Sequence, residues 1–192
     1  MPLYTTDALV LRTYQLGEAD RIVTICTSDR GKVRAVARGV RRIKSRVAGH
    51  LEPLTHTRVS VAEGRSLDHV VEAETIQSFR VLRENLDRMS VALYLCELID
   101  NFTLEEATNP RNLDLLLGTM KLLELGEASS VVVHAFEVKL LLYSGFGPEM
   151  GCCSECASGL EPGDYVYSSF AGGIICRGYK FWSGRISIAD TG

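Results

Sequence analysis

The chain has 192 residues, 46% of them hydrophobic and 23% charged, with a formal net charge of −3 at neutral pH. That length admits one large or two small domains, and no apolar run approaches the roughly 20 residues that a membrane-spanning helix needs. The N-terminus, MPLYTTDALVLRTY, lacks the basic stretch and apolar core of a secretory signal, so the cytoplasm is the expected compartment and no membrane partner is expected.

Charge is unevenly divided: residues 1–60 hold 11 Lys and Arg against 5 Asp and Glu, whereas residues 61–150 hold 7 against 15. The asymmetry suggests two modules, one that meets anions and one that does not.

Residues 6–14, TDALVLRTY, read as a strand that ends before the turn-prone QLGEAD. Arg21–Thr27 alternates apolar and polar residues and is rich in β-branched side chains, which predicts a second strand. Ser28-Asp29-Arg30-Gly31 is a good tight turn, so this strand should pair as a hairpin with Lys32–Gly39. Glu18 and Asp20, in the turn beside Arg21, read as ion-pairing groups rather than as paired catalytic carboxylates.

The third strand opens the most unusual stretch of the chain. Eight of the seventeen residues from Arg30 to Arg46 are Arg or Lys, and none is acidic. Such a cluster repels itself, and folding alone gives no reason to assemble it. A polyanion does, because each neutralised phosphate releases condensed counterions. The alternatives are a solvated loop or a patch for an acidic protein tail. The alternation places part of the charge on a strand face and the rest, after Gly39, on a loop. An electropositive strand-and-loop surface suits a nucleic-acid groove, and the candidate phosphate contacts are Lys32, Arg34, Arg38, Arg41, Arg42, Lys44 and Arg46. Nearby aromatics are scarce, Tyr14 and Phe79 being the nearest, which favours backbone contacts over base reading.

Leu54–Ala62 and Leu67–Ile76, joined by the turn Glu63-Gly64-Arg65-Ser66, complete five short strands without an intervening helix. That order predicts a small antiparallel barrel over residues 1–78, with an OB-fold as the natural candidate. Residues 79–192 change character, and the fold class is therefore α+β. Asp87–Glu106 places Met89, Leu93, Cys96 and Ile99 on one helical side. A second helix starts at Asn109-Pro110 and stops at Gly126; a third, capped by Ser129 or Ser130, runs to Gly145. His134 lies in the apolar third helix and should be packed, and His56 and His69 fall on the last two strands without ligand partners.

Four of six cysteines fall in a knuckle at 151–179: Cys152, Cys153, Cys156 and Cys176. Cys153-x-x-Cys156 has the spacing with which two thiolates clasp one tetrahedral Zn²⁺. A fourth ligand is wanted near position 179, where this chain has Tyr179. Three readings stay open: a zinc site of three cysteines or completed by Cys152, a metal-free degenerate knuckle, or reduced buried thiols. Cys26 and Cys96, in apolar runs, read as buried hydrophobes. No phosphate-cradling glycine loop, zinc-protease helix or nucleophile elbow occurs, so no enzymatic active site is expected, and a zinc-dependent hydrolase is disfavoured by the missing His/Glu ligand set.

Leu11–Thr24 (LRTYQLGEADRIVT) followed by Gly31–Arg46 (GKVRAVARGVRRIKSR) resembles the bacterial DNA repair proteins of the RecO family. Ala135–Phe146, Cys153-x-x-Cys156 and Gly172–Cys176 fall in the family's order, so the resemblance covers about residues 5–176. It implies an N-terminal OB-fold, a helical domain and a zinc-finger-like insertion. It also implies non-catalytic work in recombinational repair: binding single- and double-stranded DNA, annealing strands, and helping to load recombinase, with RecR and single-strand-binding protein as partners and a nucleoid-associated place in the cytoplasm. The alternative is a protein-interaction adaptor whose basic patch binds an acidic partner tail. Two departures stand out. Tyr179 occupies the position of the family's last cysteine, and Lys180–Gly192 is short and polar where the family continues with a helical segment.

Overall fold

The computed structural model describes residues 2–105, 107–126, 129–163 and 165–176. They fall into two compact units, Met1–Ser144 and Gly145–Gly192.

In the first unit, β1 (Leu3–Leu16), β2 (Asp20–Thr27), β3 (Gly31–Ala37), β4 (His56–Ala62) and β5 (Asp68–Gln77) form a closed barrel in the order β1-β2-β3-β5-β4. All pairings are antiparallel except the short β3–β5 seam, where Ala35 meets Asp68 and Val36 meets His69 in parallel. This is the predicted OB-fold arrangement. Alternation along the strands sorts the side chains. Ala8, Val10, Val23, Ile25, Val33, Ala35, Val59 and Val61 fill the barrel. The register turns three rows outward: Leu9–Cys26–Lys32, Arg12–Thr24–Arg34 and Tyr14–Ile22–Val36. A one-turn 3₁₀ segment, Ala48–Leu51, plugs one end with the buried Leu51.

The helices are α1 (Arg80–Arg83), α2 (Leu86–Phe102), α3 (Pro110–Leu125) and α4 (Ser129–Tyr143). Asn85 caps α2 by accepting the Arg88 backbone N–H at 3.0 Å. The expected buried face of α2 needs one correction. Ala92, Leu95, Cys96 and Ile99 are buried, whereas Leu93 sits at the rim of the stripe and is 38% exposed. A helix turns about 100° per residue, and position 93 lies beyond the arc that these four define. His134 is a second correction, since it is exposed and pairs with Glu137 at 3.1 Å.

Barrel and helices share one core: Leu9, Leu11, Cys26 and Leu54 pack with Phe79, Leu95, Cys96, Leu116 and Phe136. Arg83 ties the same seam, donating to the Ser78 carbonyl at 2.8 Å and to Thr55 Oγ1 at 2.8 Å. One polar residue sits in the buried stripe of α2. Asp100 pairs with Lys32 (Nζ–Oδ1 3.3 Å) and Arg12 (Nε–Oδ2 2.7 Å), and Lys32 also donates to the Asp100 carbonyl at 2.6 Å. With side chains only 6% and 12% exposed, Asp100 and Lys32 form a buried pair. Removing the Asp100 carboxylate would strand the Lys32 ammonium, an event worth about 3–5 kcal/mol, whereas without Lys32 the carboxylate would keep Arg12. The ammonium also sits against the carbonyl end of α2, where the helix dipole favours a cation.

In the second unit, β6 (Val166–Ser168) and β7 (Gly173–Ile175) form a two-stranded hairpin. Ser154 donates its backbone N–H to Ile174 at 2.8 Å, and Ile174 donates to Glu149 at 3.0 Å, so the cysteine knuckle is stitched to β7. Among the described residues, no helix is long and apolar enough to cross a membrane.

Candidate nucleic-acid interface and cysteine cluster

The charge run divides into two parts with different fates. Lys32 is committed to Asp100, and Arg34 pairs with Glu105 at 3.4 Å. Both lie on the outward face of β3, where the end of α2 and the segment after it reach across, and Lys32 bridges Glu105 in parallel. These two charges are answered within the fold.

Arg38, Arg41, Arg42, Lys44 and Arg46 are all exposed on the loop after β3. Among the described residues none of the five makes an ion pair. The loop is nevertheless anchored at its base. Gly39 N–H donates to Asp20 Oδ1 at 2.7 Å, Arg41 N–H to the Ala19 carbonyl at 2.9 Å, and Arg41 Nη1 to the Glu18 carbonyl at 3.0 Å. Two short turns then carry it onward, Arg42 N–H to the Gly39 carbonyl and Ser45 N–H to the Arg42 carbonyl. Asp20 thus serves as a backbone acceptor instead of the expected partner of Arg21, which pairs with Glu52 at 2.8 Å. The base of the loop, with Arg38, Arg41 and Arg42, is thus held on the β1–β2 turn, while Arg46 lines a cleft with Thr5, Arg58 and Glu74 on another part of the barrel.

A cleft of about 480 Å³ lies nearby, lined by Tyr4, Arg30, Arg34, Glu63, Asp68 and Glu105 among others. Most of its charges are internally answered: Arg30 pairs with Glu63 at 2.8 Å, and the Tyr4 hydroxyl donates to Asp68 at 2.8 Å; burial, and then that hydrogen bond, push the phenol pKa up. Arg30 also lies 3.8 Å from the Tyr4 ring centroid. Such a cleft offers a polyanion less than the open loop does.

In the second unit the sulfur atoms of Cys153, Cys156 and Cys176 lie within 4.8 Å of one another, and the Cys156–Cys176 pair is at 3.6 Å. Four thiolates around zinc at about 2.3 Å stand about 3.8 Å apart along a tetrahedral edge, so this spacing fits a metal-thiolate set. Cys176 N–H points at Cys153 Sγ (3.4 Å), and with the N–H groups of Cys156 and Glu155 it lowers the Cys153 thiol to about 6. A buried sulfur that receives backbone donors is prepared as a thiolate, the form a metal binds. The three cysteines are positioned to hold a metal ion.

Cys152 does not join them. The chain is bridged there to Gly159, and the Cys152 backbone N–H donates to Glu149 Oε1 at 3.3 Å. Its thiol also lies against the Glu149 carboxylate, which raises its pKa after burial has done so. Tyr179 and Lys180–Gly192 lie outside the described residues.

Tyr14, named above only as a nearby aromatic, shares the outward face of β1 with Arg12, and the period-two pattern of β1 is the signal for it.

Residues 1–79 match the family model described as "Recombination protein O N terminal", and residues 83–181 match "Recombination protein O C terminal". The chain is 39% identical over 173 residues to the DNA repair protein RecO of Dehalococcoides mccartyi (strain CBDB1), covering 90% of this chain and 68% of that protein. It is 40% identical over 174 residues to the DNA repair protein RecO of Roseiflexus sp. (strain RS-1), covering 91% and 61% respectively. With the protein of the same name from Desulforamulus reducens it shares 34% identity over 199 aligned positions, covering 100% of this chain and 77% of the relative. The chain therefore spans about two thirds of the length of the first two. With both halves of the family matched in order, from the OB barrel through the cysteine cluster, this chain belongs to the RecO family of DNA repair proteins.

Proposed function

We propose that the protein binds single- and double-stranded DNA through the loop after β3 and anneals complementary strands in recombinational repair, without a catalytic centre of its own. The observation that carries the reading is the set of five exposed cations, Arg38, Arg41, Arg42, Lys44 and Arg46, carried by one loop of an OB barrel. Annealing needs no reacting group. Neutralised phosphates let two strands approach, while contacts that read no base identity leave the bases to find their register. Recombinase loading, contacts with RecR and with single-strand-binding protein, and a nucleoid-associated place in the cytoplasm go with this reading through family membership.

The test is a salt titration of the parent protein on single-stranded and duplex oligonucleotides, with an annealing assay and a product gel run alongside. Binding that falls steeply with salt, faster annealing and uncut DNA are expected. Indifference to DNA together with capture of an acidic peptide would replace this reading with an adaptor role, and cleaved product would overturn the non-catalytic part.

For the metal, we propose that Cys153, Cys156 and Cys176 hold zinc as a structural clamp on the knuckle. Structural zinc prefers four ligands, and among the described residues three cysteines converge here. The purified protein should therefore contain less than one equivalent of zinc, released readily to a chelator. The barrel should survive that treatment, because no barrel residue belongs to the cluster. Tyr179→Cys should raise the zinc content. Full, chelator-resistant zinc in the unmodified chain would overturn the three-ligand site.

A further inference from the structure

We propose that Tyr14, held in place by Arg12, is a stacking platform for one unpaired base of single-stranded DNA. The proposal rests on the reading of this barrel as a DNA-binding surface and adds a base contact to a site otherwise built for phosphates.

The outward face of β1–β2–β3 changes character along its length. The row Leu9–Cys26–Lys32 is covered by the helices, and Leu9 and Cys26 belong to their shared core. The next row, Arg12–Thr24–Arg34, is the boundary at which Asp100 and Glu105 meet the barrel. Beyond it Tyr14 is 49% exposed, with the half-buried Ile22 and the buried Val36 in the same row. Leu16, one step further along the same face, is also exposed. The basic loop is anchored to the turn that follows Leu16.

Tyr14 is held by a relay that starts in the core. Asp100, 6% exposed, holds Arg12 through Nε at 2.7 Å. Arg12 in turn donates from Nη1 to the Tyr14 hydroxyl and places its guanidinium carbon 4.8 Å from the ring centroid. A long arginine would ordinarily sample many rotamers. Here its planar head is fixed between a buried carboxylate and an aromatic ring, and the ring is fixed with it. A phenol presented this way, on the strand that leads into the turn where Arg41 is anchored, has what a single-strand groove combines: an aromatic face for a base and positive charge for the flanking phosphates. A duplex already stacks its base faces and has little use for the ring, so the contact discriminates between strand states.

The experiment compares the parent with Tyr14→Ala, Tyr14→Phe and Tyr14→Trp in the whole chain. Affinity is read by fluorescence anisotropy at several salt concentrations on three probes: a thymine single strand, an abasic single strand of the same length, and a duplex. Stacking is worth about 1–3 kcal/mol per base, which is about 5- to 150-fold in affinity. Tyr14→Ala should therefore bind the thymine strand at least 5-fold more weakly with an unchanged salt slope. Binding to the abasic strand and to the duplex should stay at the parent level. Tyr14→Phe and Tyr14→Trp should keep the thymine affinity within about 2-fold, since the ring survives in both.

Tyr14→Ala with parent affinity for the thymine strand overturns the platform and leaves the phosphate reading intact. Equal losses on all three probes also overturn it, because the ring would then act through the shape or charge of the barrel. A parent protein that binds none of the probes overturns the platform together with the reading it rests on.

Discussion

Replacing Arg41, Arg42 and Lys44 together with alanine is expected to weaken single-strand binding by roughly 50-fold at about 0.15 M salt and to flatten the log–log salt slope by about 2. The magnitude follows from three lost phosphate contacts, each of which contributes about 0.7 to the slope on a single strand and about 0.9 on a duplex. The loss should be uniform across sequences, because backbone contacts carry no base information. All three side chains are exposed, so the fold should tolerate the change, with exposed substitutions typically within about 0.5 kcal/mol each. Arg41 alone has a second duty, since its guanidinium holds the Glu18 carbonyl at 3.0 Å. Single variants should therefore show Arg41→Ala affecting both stability and slope, while Arg42→Ala and Lys44→Ala affect slope only. Parent-like affinity and slope in the triple variant would remove the loop from the interface.

Gly31→Val is expected to cost the first unit about 4 kcal/mol or more, beyond the range of an ordinary substitution. Two independent terms combine at this position. Its φ of +67° is one that β-branched residues resist. A Cβ built on Gly31 would also lie 2.1 Å from the carbonyl oxygen of Ala107, a backbone atom that has no rotamer by which to move away. Gly17 separates the terms, because it shares the positive φ, +60°, with open space around its Cβ. Gly17→Ala should lose only about 1 kcal/mol, the cost of the left-handed backbone. Urea unfolding of both variants checks the pair. A Gly31→Val protein with the parent's midpoint would mean that the segment around Ala107 does not close over the β2–β3 turn.

The barrel was legible because its information is local. Period-two alternation and the turns at Ser28–Gly31 and Glu63–Ser66 depend on neighbours in sequence, and the strands fall within a few residues of where they read. The limits of α3 were legible for the same reason, through Asn109-Pro110 at its start and Gly126 at its end, whereas α2 stops at Phe102, short of the expected Glu106. What could not be read was pairing across distance. Lys32 and Arg34 look like the other cations of the run, and only the return of Asp100 and Glu105, some 70 residues later, sets them apart. Leu93 and His134 were misplaced because α2 and α4 carry apolar residues on more than one side, so periodicity leaves the facing direction open. Of the cysteines, Cys153, Cys156 and Cys176 converge as their spacing implied, whereas the direction of Cys152 depends on a bridge to Gly159 that no spacing rule contains.

The seam between barrel and helices has a built-in reporter. Cys26 on β2 and Cys96 on α2 are 2% exposed and belong to the same shared core. Burial pushes the Cys26 thiol up to about 12 and raises that of Cys96 as well, so both stay protonated and inert while the seam is closed. An alkylating reagent can then reach them only when α2 lifts from β2. Their rate of modification thus clocks the opening of this seam in the unmodified protein, and the pair will label together where opening is a single cooperative event.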